Sequence, residues 1–178
     1  MSTHTFFSKR LLAVVMAFCV LSGAVSCINE KDKGEFELKV GESIPDFSVV
    51  MNDGSTLESS SLKSGVALIM FFNTGCPDCQ KTLPAVQKVY EDFGESVSFA
   101  VISRAQEDSA VAPYWKENGY TLPYSPQADR KVYNMFATSR VPRVYICKDG
   151  IIKHIYTDSP IPQYSDLTKD INCCSSSI

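Results

Sequence analysis

Val66–Phe72 (VALIMFF) is an unbroken apolar run of strand length, bounded by Gly65 and Asn73. A strand that is apolar on both faces must be covered on both faces, so it belongs in the middle of a sheet with helices on either side. Four residues past its end, Cys76-Pro77-Asp78-Cys79 opens a segment whose apolar residues Leu83, Val86, Val89, Tyr90 and Phe93 share one helical face. Gly94 then supplies a C-terminal stop. A buried strand that runs straight into a helix headed by two cysteines constrains the fold and the chemistry together.

The pattern continues in kind. Val97–Ile102 reads as a second buried strand. Ser109–Asn118 reads as a helix ended by Gly119, with Pro113 either in its first turn or kinking it. Leu122–Tyr124 is a short extended piece and Asp129–Phe136 a further helix. Val144–Cys147 and Ile151–Tyr156 are strands joined by Lys148-Asp149-Gly150, where Asp-Gly between apolar runs signals a hairpin. Gln163–Ile171 closes the fold as a helix. Asn52-Asp53-Gly54-Ser55 marks an earlier hairpin ahead of Thr56-Leu57. Strands alternating with helices and ending in a hairpin give an α/β sandwich with a mixed sheet. With 178 residues, 44% of them hydrophobic, the chain holds one such domain and little else.

Two cysteines spaced by two residues at a helix start reach the unpaired amides of the first turn. Those amides and the helix dipole favour a thiolate on Cys76. Cys79, one turn inside, is placed to resolve a mixed disulfide, with its sulfur shielded and its pKa higher. The blander readings are a structural disulfide or half of a zinc site. Zinc needs a second spaced ligand pair, but Cys173-Cys174 are adjacent, and the only histidines are His4 and His154. Asp78, between the cysteines, has two open readings: a charge that raises both thiol pKa values, or a helix-start residue held by the dipole. Seventeen Lys and Arg against twenty Asp and Glu leave a net charge of −3. No basic surplus exists for a nucleic-acid partner.

The N-terminus reads as an address. Lys9-Arg10 precede the apolar run Leu11–Leu21, and small residues Ser22–Ser26 follow. The run is too short to cross a bilayer. Ala24-Val25-Ser26-Cys27 resembles a bacterial lipobox, with Ala24 where Leu is usual, so Cys27 is the expected lipid attachment site. The competing reading is a plain signal cut near Ser26 that leaves a free thiol. Residues 1–26 are thus signal, 27–37 a lipid-anchored tether, 38–172 the folded domain and 173–178 a C-terminal tail.

The domain resembles the thioredoxin superfamily, in particular its TlpA/ResA-like exported thiol–disulfide oxidoreductases. Gly41–Phe47 is similar to that family's entry segment, shared with the peroxiredoxins. Phe71–Cys79 is similar to its active-site run, and Pro84 matches the proline that kinks the active-site helix. Val141-Pro142 matches its cis-proline turn. The resemblance implies a thioredoxin-like three-layer sandwich, a central mixed sheet flanked by helices. It implies a redox-active Cys76–Cys79 disulfide shaped by Pro77, Asp78, Val141 and Pro142, with Cys76 as nucleophile and Cys79 resolving. Pro142 would lie beside Cys76, and the Val141 backbone would pair with a substrate strand.

The chain departs from the family in three respects. Thr74-Gly75 stand where a Trp is common, and the lone Trp115 reads as packing. Met70 and Thr82 occupy positions where a buried carboxylate is often found, and neither takes a proton. Arg143 replaces a small hydroxyl residue after the proline; it reads as a surface strand residue rather than a neighbour of the thiolate. Cys147 reads as an inert core residue. Cys173 and Cys174 read as surface thiols, or as bonded to each other or to Cys147, with a redox relay as the sharper alternative. His154 reads as surface.

The leading function is a membrane-tethered oxidoreductase that reduces protein disulfides outside the cytoplasm. It faces the periplasm from the inner or outer membrane. Its substrates would include apocytochrome c, its electrons would come from a membrane thiol donor, and no organic cofactor is needed. One alternative is a peroxiredoxin-like peroxidase, but that chemistry wants Pro-x-x-x-Thr-x-x-Cys, and Ile69 and Asn73 stand at those positions. The other is a non-catalytic lipoprotein module, against which the intact cysteine pair argues.

Overall fold

The computed structural model describes residues 35–176. The signal, Cys27 and the first part of the tether lie outside the described residues.

Strands β1 (Ser48–Val50) and β2 (Thr56–Glu58) form an antiparallel hairpin around the Asp53-Gly54 turn. A 3-10 turn, Ser59–Lys63, leads into β3 (Val66–Phe72), whose residues are all buried. Helix α1 (Pro77–Phe93), strand β4 (Val97–Ser103) and helix α2 (Asp108–Glu117) follow. Strands β5 (Arg143–Lys148) and β6 (Ile151–Tyr156) and helix α3 (Tyr164–Ser175) complete the chain. The main sheet has the order β4-β3-β5-β6. It is parallel between β3 and β4 and antiparallel elsewhere. The mixed sheet with β3 central is the architecture the apolar run demands.

Alternate residues of β3 point to opposite faces. Phe71 meets Tyr133, Phe136 and Tyr145 in an aromatic cluster. Phe72 meets Trp115 of α2, ring centroids 5.0 Å apart, and the indole N–H donates to Leu122 O at 2.8 Å. Trp115 is therefore packing, as read. Between β5 and β6, Asp149 and Gly150 both take positive φ, 49° and 76°. That is the mirror-image turn that matches strand twist, and Asp-Gly is its sequence signature.

Several elements differ from the sequence expectation. Asp129–Phe136 is not an α-helix; only Tyr133–Met135 forms a 3-10 turn. Tyr133 and Phe136 are drawn into the aromatic cluster, and Tyr133 OH donates to Arg140 O. The backbone beyond must pair with the incoming chain: Leu38 N–H donates to Phe136 O and Thr138 N–H to Phe36 O. For the same reason Phe36 and Glu37 belong to the fold rather than the tether. Helix α3 continues to Ser175, so Cys173 and Cys174 are helical, not tail. Its start carries a reciprocal capping box between Gln163 and Asp166. Pro113 lies inside α2, beyond its first turn. Gly94 ends α1 without a left-handed cap, at φ −59°. Its role is close approach, because a Cβ there would come within 2.7 Å of Tyr90 O.

Arg143 is buried rather than on the surface. It pairs with Glu37, and its Nη2 donates to Ser139 Oγ at 2.8 Å. His154 is not a solitary surface residue either. Its Nδ1 lies 2.9 Å from Asp170 Oδ2 on α3, which also accepts from Tyr156 OH.

Breaking a buried ion pair from one side leaves the other charge uncompensated. Glu37→Gln should therefore lower stability by about 2 kcal/mol, less than a fully buried pair would cost because Glu37 is partly exposed. Urea denaturation of the variant measures this.

Candidate active site

Strand β3 delivers the chain at Phe72 into the turn Asn73–Gly75. Asn73 closes that turn itself: its Oδ1 accepts Gly75 N–H at 2.9 Å and its carbonyl accepts Cys76 N–H at 3.0 Å. Cys76 is the N-cap of α1. Pro77 is the first helical residue, where its missing N–H costs nothing. Asp78 sits in the first turn, partly exposed, and pairs with Lys81 at 2.9 Å. Pro84 lies within α1, as the active-site pattern requires.

Two glutamines lock the turn from outside. Gln106, just past β4, takes Thr74 N–H on its Oε1 at 2.6 Å, and its Nε2 donates to Thr74 Oγ1 at 2.8 Å. Gln80 Nε2 donates to Thr74 O at 2.8 Å. Sequence reading did not find Gln106, Gln80 or Arg104. Gln80 directly follows Cys79 but its residue type signals no role there; strand pairing alone brings residues 104–106 to the site.

The thiols are unequal. Cys76 is half-buried, and its S–H donates to Val141 O at 3.4 Å. The Val141–Pro142 bond is cis. Cys79 is fully buried. Burial pushes the Cys79 thiol far above its ordinary range, while a backbone contact at Asn73 and the charge of Arg104 pull the other way without cancelling it. Met70 and Thr82 are both buried, and the Thr82 hydroxyl is spent on Asp78 O. The structure thus brings Cys76, Cys79, Pro77, Asp78, Val141 and Pro142 to one end of the sheet, the grouping that the family resemblance implies. A shielded sulfur next to an accessible one at a helix N-terminus is an arrangement for ordered disulfide exchange.

The remaining described cysteines lie elsewhere. Cys147 on β5 is buried, opposite Ala67 at the far end of β3; burial, with Cys174 nearby, pushes its thiol up to about 12. Cys174 is buried on the inner side of α3, and burial likewise raises its thiol. It is not a surface thiol. Cys173, beside it, is exposed.

The family model described as Redoxin matches residues 39–171. Thiol-disulfide oxidoreductase ResA of Bacillus thuringiensis (strain Al Hakam) is 25% identical over 172 residues, covering 92% of this chain and 97% of that protein. ResA of Bacillus subtilis (strain 168) is 25% identical over 142 residues, covering 76% and 79%. A thiol:disulfide interchange protein of the thioredoxin family from Chlorobium tepidum TLS superposes with a TM-score of 0.66 at 20% identity, over 79% of this chain and all of that one. At such identity the likeness speaks for a thioredoxin-like fold.

The difference in burial has a direct readout. Brief alkylation of the reduced protein with iodoacetamide, followed by peptide mass mapping, should label Cys76 and spare Cys79. The protection of Cys79 and Cys147 should persist to pH 9, because both pKa values are raised. Equal labelling of Cys76 and Cys79 would contradict the geometry.

Proposed function

The chain belongs to the Redoxin family and is a thiol–disulfide oxidoreductase, and we propose that it reduces protein disulfides outside the cytoplasm from a lipid anchor on Cys27. The observation that carries the reading is the pair itself: Cys76 accessible at the start of α1 against Val141 O, Cys79 shut away one turn further.

The cycle follows from that inequality. The Cys76 thiolate attacks one sulfur of a substrate disulfide. A substrate strand lies along Val141-Pro142 while it does so. The product is a mixed disulfide on Cys76, and one substrate sulfur leaves as a thiol. Cys79 then loses its proton and attacks Cys76 Sγ, breaking the mixed disulfide and forming the Cys76–Cys79 bond. The substrate gains two electrons and the protein loses two. A membrane thiol donor restores the pair, and apocytochrome c is among the substrates that fit an extracytoplasmic reductase.

A peroxidase reading finds less support. That chemistry wants a hydroxyl three residues before the attacking cysteine. Asn73 stands there, and its side chain is engaged with Gly75 N–H and Arg104 O.

Two experiments test the proposal. In membranes resolved on non-reducing gels, Cys79→Ala should accumulate substrate proteins covalently on Cys76, and Cys76→Ala should form no adduct. Adducts in Cys76→Ala alone would reverse the roles. Intact-mass analysis of membrane-extracted protein should show a chain beginning at Cys27 and carrying acyl mass. A mature form without acyl mass would remove the anchor from the proposal.

A further inference from the structure

Arg143, the first residue of β5, directly follows Pro142 and is buried. A buried ion pair is rarely the most stable filling for its space, because each charge gives up its water. Arg143 also leaves its Nε without a hydrogen bond. What the side chain does is hold the loop in front of it. Nη1 pairs with Glu37 Oε1, and Nη2 donates to Ser139 Oγ at 2.8 Å, two residues before Val141. The carboxylate is itself fixed by its backbone. Thr138 N–H donates to Phe36 O and Phe36 N–H to Thr138 Oγ1, both at 2.9 Å, so this pairing sets Glu37 alongside Ala137 and stops one residue short of Ser139. From the other side Arg104 Nη1 donates to Ser139 O at 3.1 Å. Arg104 is rooted in the cysteine turn: its N–H donates to Phe72 O at 2.7 Å, and its carbonyl accepts from Asn73 Nδ2 at 3.2 Å. Ser139 is thus gripped by two guanidinium groups, one on its hydroxyl and one on its carbonyl. The next residue is held too, Arg140 O accepting from the Tyr133 hydroxyl at 2.7 Å. Val141 follows, and its carbonyl accepts from the Cys76 thiol.

We propose that Arg143 is a positioning residue for exchange with peptide disulfides, fixing Ser139, and through it the Val141 backbone, in place for a substrate strand beside Cys76. This rests on the oxidoreductase reading above and deepens it, because it names what makes the site favour a disulfide carried on an extended chain. A backbone edge that is already set loses little freedom when a strand pairs with it. A loose edge must be ordered at each encounter, and that cost falls on docking. The guanidinium suits the task, because its planar fork reaches Glu37 and Ser139 at once, which a single ammonium does with less definition. The chemistry is unchanged. The Cys76 thiolate forms a bond to one substrate sulfur, the substrate S–S bond breaks, and the other sulfur leaves as a thiolate and takes up a proton. A small disulfide with no peptide strand undergoes the same step without using the Val141 edge.

The test sets two probes against each other. Reduced full-length protein is mixed with the disulfide-linked dimer of a short extended peptide, or with bis(hydroxyethyl) disulfide. Samples are quenched with acid at intervals, and loss of the Cys76 thiol is followed by peptide mass mapping. Ser139→Ala should slow oxidation by the peptide about tenfold, the size of one charge-assisted hydrogen bond lost, and leave oxidation by the small disulfide at the wild-type rate. That unchanged rate also shows that the variant folds. Ser139→Thr, which keeps the hydroxyl, should retain the peptide rate. Arg143→Met should lower the peptide rate at least as far as Ser139→Ala does. Adding Ser139→Ala to Arg143→Met should cost nothing more, because the two changes remove one shared bond. Should Arg143→Met fail to fold, the two Ser139 variants decide alone. A wild-type peptide rate in Ser139→Ala would overturn the proposal. So would equal slowing of both probes, which a general loosening of the site would give, or a Ser139→Thr variant as slow as Ser139→Ala, or a full further loss in the double variant. Each of these leaves the oxidoreductase reading standing. A wild type that reacts with neither probe would defeat that reading, and this inference with it.

Discussion

A seven-residue strand without one exposed side chain leaves the chain no polar face to turn toward water. β3 must therefore be paired along both edges and covered on both faces, and most of the structure is the means of doing so. β4 and β5 take its edges. The Phe71 cluster packs on one face and Trp115 on the other. A strand so enclosed can reach solvent only at its ends. The carboxyl end is where the chain next needs a helix, and where the cysteines stand.

The pairing register turns that end into a site. Phe72 lies opposite Ser103 and Phe71 opposite Arg143. Three segments far apart in sequence therefore leave the sheet at one level: Asn73 after β3, Arg104 after β4, and Pro142 before β5. Because β4 runs parallel to β3 and β5 antiparallel, two strand ends and one strand start meet there. Ligands of open α/β sheets gather at such carboxyl ends. The hydrogen bonds of Arg104 and Gln106 to residues 72–74 are the local consequence of that register.

This register also marks what a sequence can disclose. β3, the dithiol helix and the Asp149-Gly150 hairpin depend on neighbours in the chain, and each announces itself in residue type and spacing. Pro142 was legible through its family pattern alone. The contacts of Gln106 and Arg104 span about thirty residues, and no periodicity records them. The same holds for Arg143, whose partner Glu37 comes from a segment that reads as charged tether. Asp129–Phe136 failed for a further reason. Val132, Tyr133 and Phe136 satisfy one turn of helical spacing, and a single 3-10 turn satisfies it equally. What decided between them was the backbone pairing of Phe136 and Thr138 with residues 36–38, which lies outside any local window.

The register finally bears on how electrons leave the protein. Cys147 sits opposite Ala67, five residues of strand from Phe72, roughly 17 Å along β3. A disulfide needs Cα atoms within about 7 Å. Cys147 cannot trade directly with the Cys76–Cys79 pair while the sheet is intact, and Cys174 packs near Cys147, not near the pair. Burial raises the pKa of both of these thiols. The electron pair therefore has no internal relay onward through Cys147 or Cys174. It enters and leaves through the one accessible sulfur of the pair, Cys76. On the proposed function, substrate and reductant would then dock in turn at the same edge, against the loop that ends in Val141-Pro142.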